Sequence, residues 1–173
     1  MSPILFLFAI IVLVPYLIVI IYLIFLIYAT FSGAPFVPTG KRRVDKMIEM
    51  ANLKPTDRVI DLGSGDGRVT IAASKQCAKS VGVEINPFLC WLSKIKAGRK
   101  SNVEFKNESL WKINLADFDL IFIYFIPHRM KKLAKKIRRE MKPGSRIVSH
   151  AFIFPDWQYL EKNDNIYLYE VNK

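Results

Sequence analysis

Apolar residues follow three different rhythms along this chain. From Ile4 to Tyr28 almost every position is Ile, Leu, Val, Phe, Tyr or Ala, with no helical or strand period to interrupt the run. As a helix these 25 residues would reach about 37 Å at roughly 1.5 Å each, enough to cross a bilayer with some tilt. Pro15 sits inside the run, where it is expected to kink the helix. A removable signal peptide is the alternative. It fits less well, because no basic residue precedes the run and the run is long for such a segment.

Beyond residue 40 the pattern changes to short alternating pieces. Val44, Met47, Ile48 and Ala51 recur at helical spacing, predicting an amphipathic helix over 41–52. Arg58–Leu62 reads as a strand, 69–77 as a helix, and 81–85 as a second strand. Asn86 and Pro87 then give a cap and a first helical turn, and Phe88, Trp91, Leu92 and Ile95 line one face of that helix. A third strand is predicted over 102–106. A fourth is predicted over 118–126, apolar except for Asp119 and so suited to burial on both faces of a parallel sheet. A helix over 130–141, a fifth strand over 146–151 and a last strand over 165–171 complete the series. Strands alternating with helices predict a Rossmann-like, doubly wound α/β sheet, mainly parallel. The chain ends soon after the last strand, so a C-terminally shortened sheet is expected.

Charge divides the chain in the same place. Residues 1–40 contain no Asp, Glu, Lys, Arg or His, so all 26 basic and 15 acidic side chains, and the net +11, belong to 41–173. We therefore divide the chain into an anchor (1–30), a Pro- and Gly-rich linker (31–40) and a basic domain (41–173). Lys41-Arg42-Arg43 follow the apolar run and nothing basic precedes it. The positive-inside rule then puts the domain in the cytoplasm, or in an equivalent compartment such as a mitochondrial matrix. Cys77 and Cys90 lie in apolar helical patterns without nearby Cys or His, which suits core filling and argues against a zinc site. Phe36 and Val37 in the linker suit either a pocket cap or packing on the domain.

In an open α/β sheet, ligands bind at the carboxyl ends of the strands, so the residues after each strand are the ones to read. The first strand ends in Asp61-Leu62-Gly63-Ser64-Gly65-Asp66-Gly67-Arg68, a turn in which backbone approaches a ligand closely. Glu84 ends the second strand, where a carboxylate can accept hydrogen bonds from a ribose diol. A dinucleotide fingerprint would put a glycine at position 68, which is Arg68, and Asp61 suits an ammonium better than a pyrophosphate. Both points favour S-adenosylmethionine over NAD. Asn107 to Trp111 follow the third strand, and Tyr124 to His128 the fourth.

The stretch from Asp61 to Arg68 resembles the first motif of class I, seven-β-strand methyltransferases. A narrower resemblance is to a single-span membrane family, whose vertebrate members methylate lysines of the ATP synthase c-subunit and the adenine nucleotide translocase. The residues that carry it are the apolar span, Pro35 to Thr39, the glycine motif, Gly82 to Pro87, Leu110-Trp111-Lys112, Pro127, and Phe154-Pro155 with Trp157. The resemblance implies that Gly63, Ser64, Gly65 and Gly67 pass along the methionine part of S-adenosylmethionine. It has Asp61 orient the amino group, Glu84 hold the ribose, and Ile85 and Asn86 flank the adenine. Where many relatives carry an Asp before Leu-Trp this chain has Ser109, so the adenine contact passes to Ser109 and Leu110, to Asn107 or to backbone.

Methyl transfer to a lysine needs a deprotonated amine and a dry site more than a strong base. Tyr124, Pro127 and Trp157 are the candidate acceptor-site residues, and the rings of Tyr124, Phe125 and Trp157 are expected to supply a wall for an ammonium. His128 and Trp111 are weaker candidates, since a solvent-facing histidine and a core aromatic explain them better. The expected acceptor is a lysine of a membrane protein; a lipid headgroup or small amine is the alternative, and a non-catalytic cofactor-binding scaffold is a third. Arg129 to Lys142 hold eight basic residues and one acid. That helix suits contact with anionic lipid, whereas nucleic acid is not expected because the basic run lacks interleaved aromatics.

Overall fold

A computed structural model describes residues 3–32 and 37–172 of the chain. It divides into two compact units, Met1–Phe36 and Val37–Lys173.

The first unit is one helix, α1 (Pro3–Ser32), 30 residues long, which runs through Pro15. Its side chains are described without interruption only from Ile10 to Leu23, and all of these are exposed except the half-exposed Ile20. Among the described residues, no helix is long and apolar enough to cross a membrane.

The second unit is a seven-stranded sheet with helices on its faces. Its elements in chain order are α2 (Lys41–Ala51), β1 (Arg58–Leu62), α3 (Arg68–Ala73), β2 (Lys79–Glu84), α4 (Pro87–Ala97) and β3 (Val103–Asn107). Then come β4 (Leu120–Ile123), α5 (Pro127–Glu140), β5 (Arg146–His150), β6 (Glu161–Asn163) and β7 (Ile166–Glu170). The spatial order is β3-β2-β1-β4-β5-β7-β6. The first five strands pair in parallel; β7 runs antiparallel to both β5 and β6. The expected shortening of the sheet is therefore not found. Its last strands form a β6–β7 hairpin whose first arm, Glu161-Lys162-Asn163, is fully exposed and has no apolar pattern to announce it.

Burial follows the predicted rhythm. Residues Leu120 to Ile123 are completely buried, as a central parallel strand requires. Alternate residues of the sheet, Val59, Leu120, Phe122 and Val148, meet Val44, Met47 and Ile48 of α2 and Val69 and Ala73 of α3 in one core cluster. Both cysteines are free and buried, and burial pushes the Cys77 thiol up to about 11, as expected of core fillers.

Three boundaries differ from the sequence reading by three residues or more. The predicted helix over 69–77 is only six residues long. β4 stops at Ile123, where its ladder with β5 ends opposite Ser149, so Tyr124 to Ile126 are loop. In turn α5 starts at Pro127 rather than Met130, because proline in a first turn loses no hydrogen bond and brings a helical φ.

Candidate active site

Chain order reverses between β1 and β4, and the crevice at such a reversal is where open α/β sheets bind ligands. The glycine turn fills it. Gly63, Gly65 and Gly67 have φ of +82°, +55° and +80°, a region that side-chain-bearing residues rarely adopt. Gly63 and Gly67 have different reasons to be glycine. A Cβ on Gly67 would lie 2.6 Å from the Phe105 ring and 2.7 Å from Ser93 Cβ, so that glycine lets the loop pack on β3 and α4. A Cβ on Gly63 would meet nothing within 4 Å; it faces open space beside the turn. The amides of Gly63 and Ser64 donate to the Val83 carbonyl at 2.8 and 3.0 Å, fixing the turn to β2.

Glu84 is held as an acceptor. The Gly65 amide donates to its Oε2 at 2.9 Å and the Asn86 amide to its Oε1 at 2.8 Å. A carboxylate offers about four lone-pair sites, so roughly two remain for a diol. The Asn107 side chain braces this corner, its Nδ2 donating to the carbonyls of Glu84 and Ile85 at 2.9 and 3.0 Å. The Asn86 side chain caps α4 instead, accepting from the amides of Phe88 and Leu89. Its share of the site is therefore its backbone, which orients Glu84. Ile85, Ser109 and Leu110 are half-buried around the same end of the sheet. Ser109 Oγ accepts from the Trp111 amide at 3.4 Å, and its main-chain carbonyl accepts from the Lys112 amide.

Asp61 is the electrostatic centre. It is buried, accepts a 2.9 Å hydrogen bond from Thr70 Oγ1, and faces no cation. Burial, and then the neighbouring Glu84, raise its pKa to about 7. A cationic ligand group here would supply the missing counter-charge. Asp66, two residues past Ser64, is in the opposite condition. Arg68 grips it through Nε and Nη2 at 2.8 and 2.7 Å and Lys96 reaches it at 2.6 Å, which lowers its carboxyl to about 2. The third arm of Arg68 donates to the Thr39 carbonyl at 2.6 Å. Arg68, which breaks the dinucleotide fingerprint, thus ties the segment ahead of α2 to the glycine turn. Thr39 is buried there while Val37 is exposed, so Val37 does not pack on the domain; Phe36 lies outside the described residues.

Across the crevice, past β4 and β5, Tyr124 lies against His150 with ring centroids 4.4 Å apart and stacks on Phe152 at 6.1 Å. His150 ends β5, is buried, and its Nδ1 has no hydrogen-bond partner. Burial and the charge of Arg43 lower its pKa. The reading of strand ends that selected Tyr124 applies equally to His150, which was missed because it closes an apolar strand and looks like core. Beside these residues lies a shallow pocket of about 290 Å³ lined by Pro127, Ala151, Phe152, Ile153, Pro155 and Tyr167. Trp157 is elsewhere. Its Nε1 donates to the Glu170 carbonyl at 3.1 Å, it packs on Phe154 and Tyr169, and Arg138 already lies over its ring at 4.5 Å. His128 is exposed, and Trp111 packs on Phe125 with Lys132 over its ring.

The ANTKMT methyltransferase domain model matches residues 61–161, which run from Asp61 and the glycine turn through Glu84 and Tyr124 to His150 and Trp157. The chain belongs to that methyltransferase family. The rat lysine N-methyltransferase of the ATP synthase c-subunit is 36% identical over 126 residues, 71% of this chain and 58% of the rat protein, so the chain spans little more than half of that relative. A protein-lysine N-methyltransferase of Saccharolobus islandicus is 32% identical over 80% of this chain and 94% of its own length. Among solved structures, an RNA methyltransferase from Salinibacter ruber in complex with S-adenosyl-L-homocysteine superposes with a TM-score of 0.75 at 32% identity, covering 78% of this chain and 94% of the other. The fold is thus the class I methyltransferase α/β fold. The residues present suit its cofactor: an uncompensated buried carboxylate for an ammonium, a fixed carboxylate for a ribose, and an open face at Gly63.

Proposed function

We propose that this methyltransferase is anchored by α1 and transfers a methyl group from S-adenosylmethionine to a lysine of a membrane protein. The observation that carries the choice of acceptor is the pocket beside Tyr124 and His150. Its six lining residues are apolar or aromatic and include no cation. Such a surface suits an amine flanked by apolar residues, whereas a nucleic-acid acceptor calls for a basic groove along the strand. The anchor reading is supported by a 30-residue helix with no charged residue, whose described side chains are almost all exposed, followed by Lys41-Arg42-Arg43. On that rule the domain faces the cytoplasm or a matrix.

Bound S-adenosylmethionine supplies a methyl group on a sulfonium, ready for in-line displacement by an amine. Asp61 would hold the amino group of its methionine part; Glu84, fixed by two backbone amides, would hold the ribose; Ile85 and Leu110 would flank the base. Tyr124 offers a ring to the incoming ammonium. His150, kept neutral by its surroundings, offers Nδ1 as an acceptor at the same end of the sheet. The remaining work is positioning and exclusion of water. The basic α5 is a weaker candidate for lipid contact. Its apolar residues are buried, and Lys132, Lys136, Arg138 and Arg139 already have partners inside the domain.

The same apolar pocket also favours a second reading, a lipid headgroup or small membrane amine as acceptor. Membranes incubated with methyl-labelled cofactor and either the wild-type chain or Asp61→Ala separate the possibilities. Label in protein, recovered as methyl-lysine and lost with Asp61→Ala, is expected. Label in the lipid extract would move the assignment to the second reading, and label in RNA would overturn both. Cofactor binding with no transfer would make the protein a scaffold.

A further inference from the structure

We infer that the outer face of α4 is a docking surface for an anionic lipid bilayer. The periodicity of Phe88, Trp91 and Ile95 is that of a buried stripe, yet the three are 60%, 56% and 56% exposed. Core packing uses the opposite side of the helix: Leu89, Cys90, Ser93 and Ala97 are the buried residues. Phe88 and Trp91 touch each other, ring centroids 5.8 Å apart, so the exposed rings form a continuous patch rather than scattered apolar residues.

The charge around the patch selects the occupant. Residues 85–103 contain Lys94, Lys96, Arg99 and Lys100 and no acid. Lys96 is engaged with Asp66, which leaves Lys94, Arg99 and Lys100, all exposed, beside the patch. Glu104, the nearest acid onward in the chain, is paired with Lys79 and Lys106. Aromatic and aliphatic residues on one face of a helix, flanked by cations and free of acids, match the boundary between acyl chains and anionic headgroups. α5 makes the contrast: it is more basic but keeps Met130, Leu133 and Ile137 inside, so it has nothing to insert. The surface also reaches the cofactor site, since Lys96 holds Asp66, and Asp66 is gripped by the Arg68 that binds Thr39. The inference rests on the anchored reading, which confines the domain near a bilayer.

The test uses the full chain reconstituted into vesicles of phosphatidylcholine, with or without phosphatidylglycerol, carrying brominated acyl chains that quench tryptophan. The expected result is quenching in anionic vesicles that is largely lost in Trp91→Phe, because Trp111 and Trp157 are half-buried, one packed on Phe125 and the other on Phe154 and Tyr169. The quenching should also weaken at about 1 M salt, where the Debye length falls to about 3 Å. Arg99→Gln with Lys100→Gln should lower it without touching the apolar patch. Quenching that Trp91→Phe does not change, or that is equal in neutral vesicles, would overturn the inference. So would a Trp91 signal that instead depends on protein concentration, which would assign the face to a second copy of the chain. Carbonate extraction of the same vesicles reads the anchor separately: a chain that stays in the pellet without Trp91 quenching refutes the docking face alone. A chain that is extracted refutes the anchor.

Discussion

Replacing Asp61 by Asn should stabilise the cofactor-free protein, and more so as pH rises. Asp61 is an acid whose folded pKa, about 7, lies above its ordinary 3.8. The folded state therefore holds the proton more tightly than the unfolded one. Its penalty is absent below about pH 4, grows through the window between the two values, and is complete above about pH 7. At about 1.4 kcal/mol per pH unit, the charged carboxylate costs about 2 kcal/mol at pH 5.5 and about 4 kcal/mol at pH 8.5. Asn keeps an acceptor for Thr70 Oγ1 and removes the charge. The variant's advantage over wild type should thus widen by about 2 kcal/mol between those pH values, or roughly 4–8 °C in melting midpoint for a chain of this size. Thermal unfolding of both full-length proteins in detergent, without cofactor, measures it. A wild-type-to-variant gap that is the same at pH 5.5 and 8.5 would refute the account of Asp61 as an uncompensated buried charge. The same account makes cofactor binding release a proton. Wild-type affinity for S-adenosylmethionine should be about tenfold weaker at pH 6 than at pH 8, as titration calorimetry would show, with that slope absent in Asp61→Asn.

The glycines should separate by function. Gly67→Ala adds a clash with Phe105 and Ser93 to an unfavourable φ and should lower stability by about 2 kcal/mol or more. Gly63→Ala meets open space, so its cost in stability should stay near about 1–2 kcal/mol while cofactor affinity falls sharply; melting curves with and without cofactor check both. Trp157→Phe, which loses the bond to the Glu170 carbonyl and weakens the stack under Arg138, should lower the melting midpoint and leave kcat/KM within a few-fold. His150→Ala should do the reverse of that kinetically, lowering kcat by roughly a hundredfold, the lower end for loss of a positioned proton acceptor. An unchanged kcat would make the histidine structural.

The parts of the domain built on strong periodicity were legible in advance: β1, β2, β4 and α2, and with them the cofactor side from Asp61 to Asn86. Glycines, acid and strand end lie within 24 residues of one another, so local pattern was enough. The acceptor side was not legible to the same degree, because Tyr124, His150 and Phe152 come together only through the pairing of β4 with β5. Trp157, expected as part of a site wall, has a cation of the domain itself, Arg138, over its ring, a contact between residues 19 apart that no local pattern announces. The α4 stripe shows that helical periodicity tells which residues share a face but not whether that face is covered.

The position of β7 has a consequence for synthesis. The strand follows both of its neighbours in the chain, yet it lies within the sheet, between β5 and β6, and carries the fully buried Tyr169. Until it arrives, β5, buried at four of its five positions in the finished domain, presents an unpaired apolar edge. Truncation or stalling before Ile166 should therefore yield an aggregation-prone intermediate rather than a smaller working enzyme. The C-terminal hairpin acts as the domain's closing step.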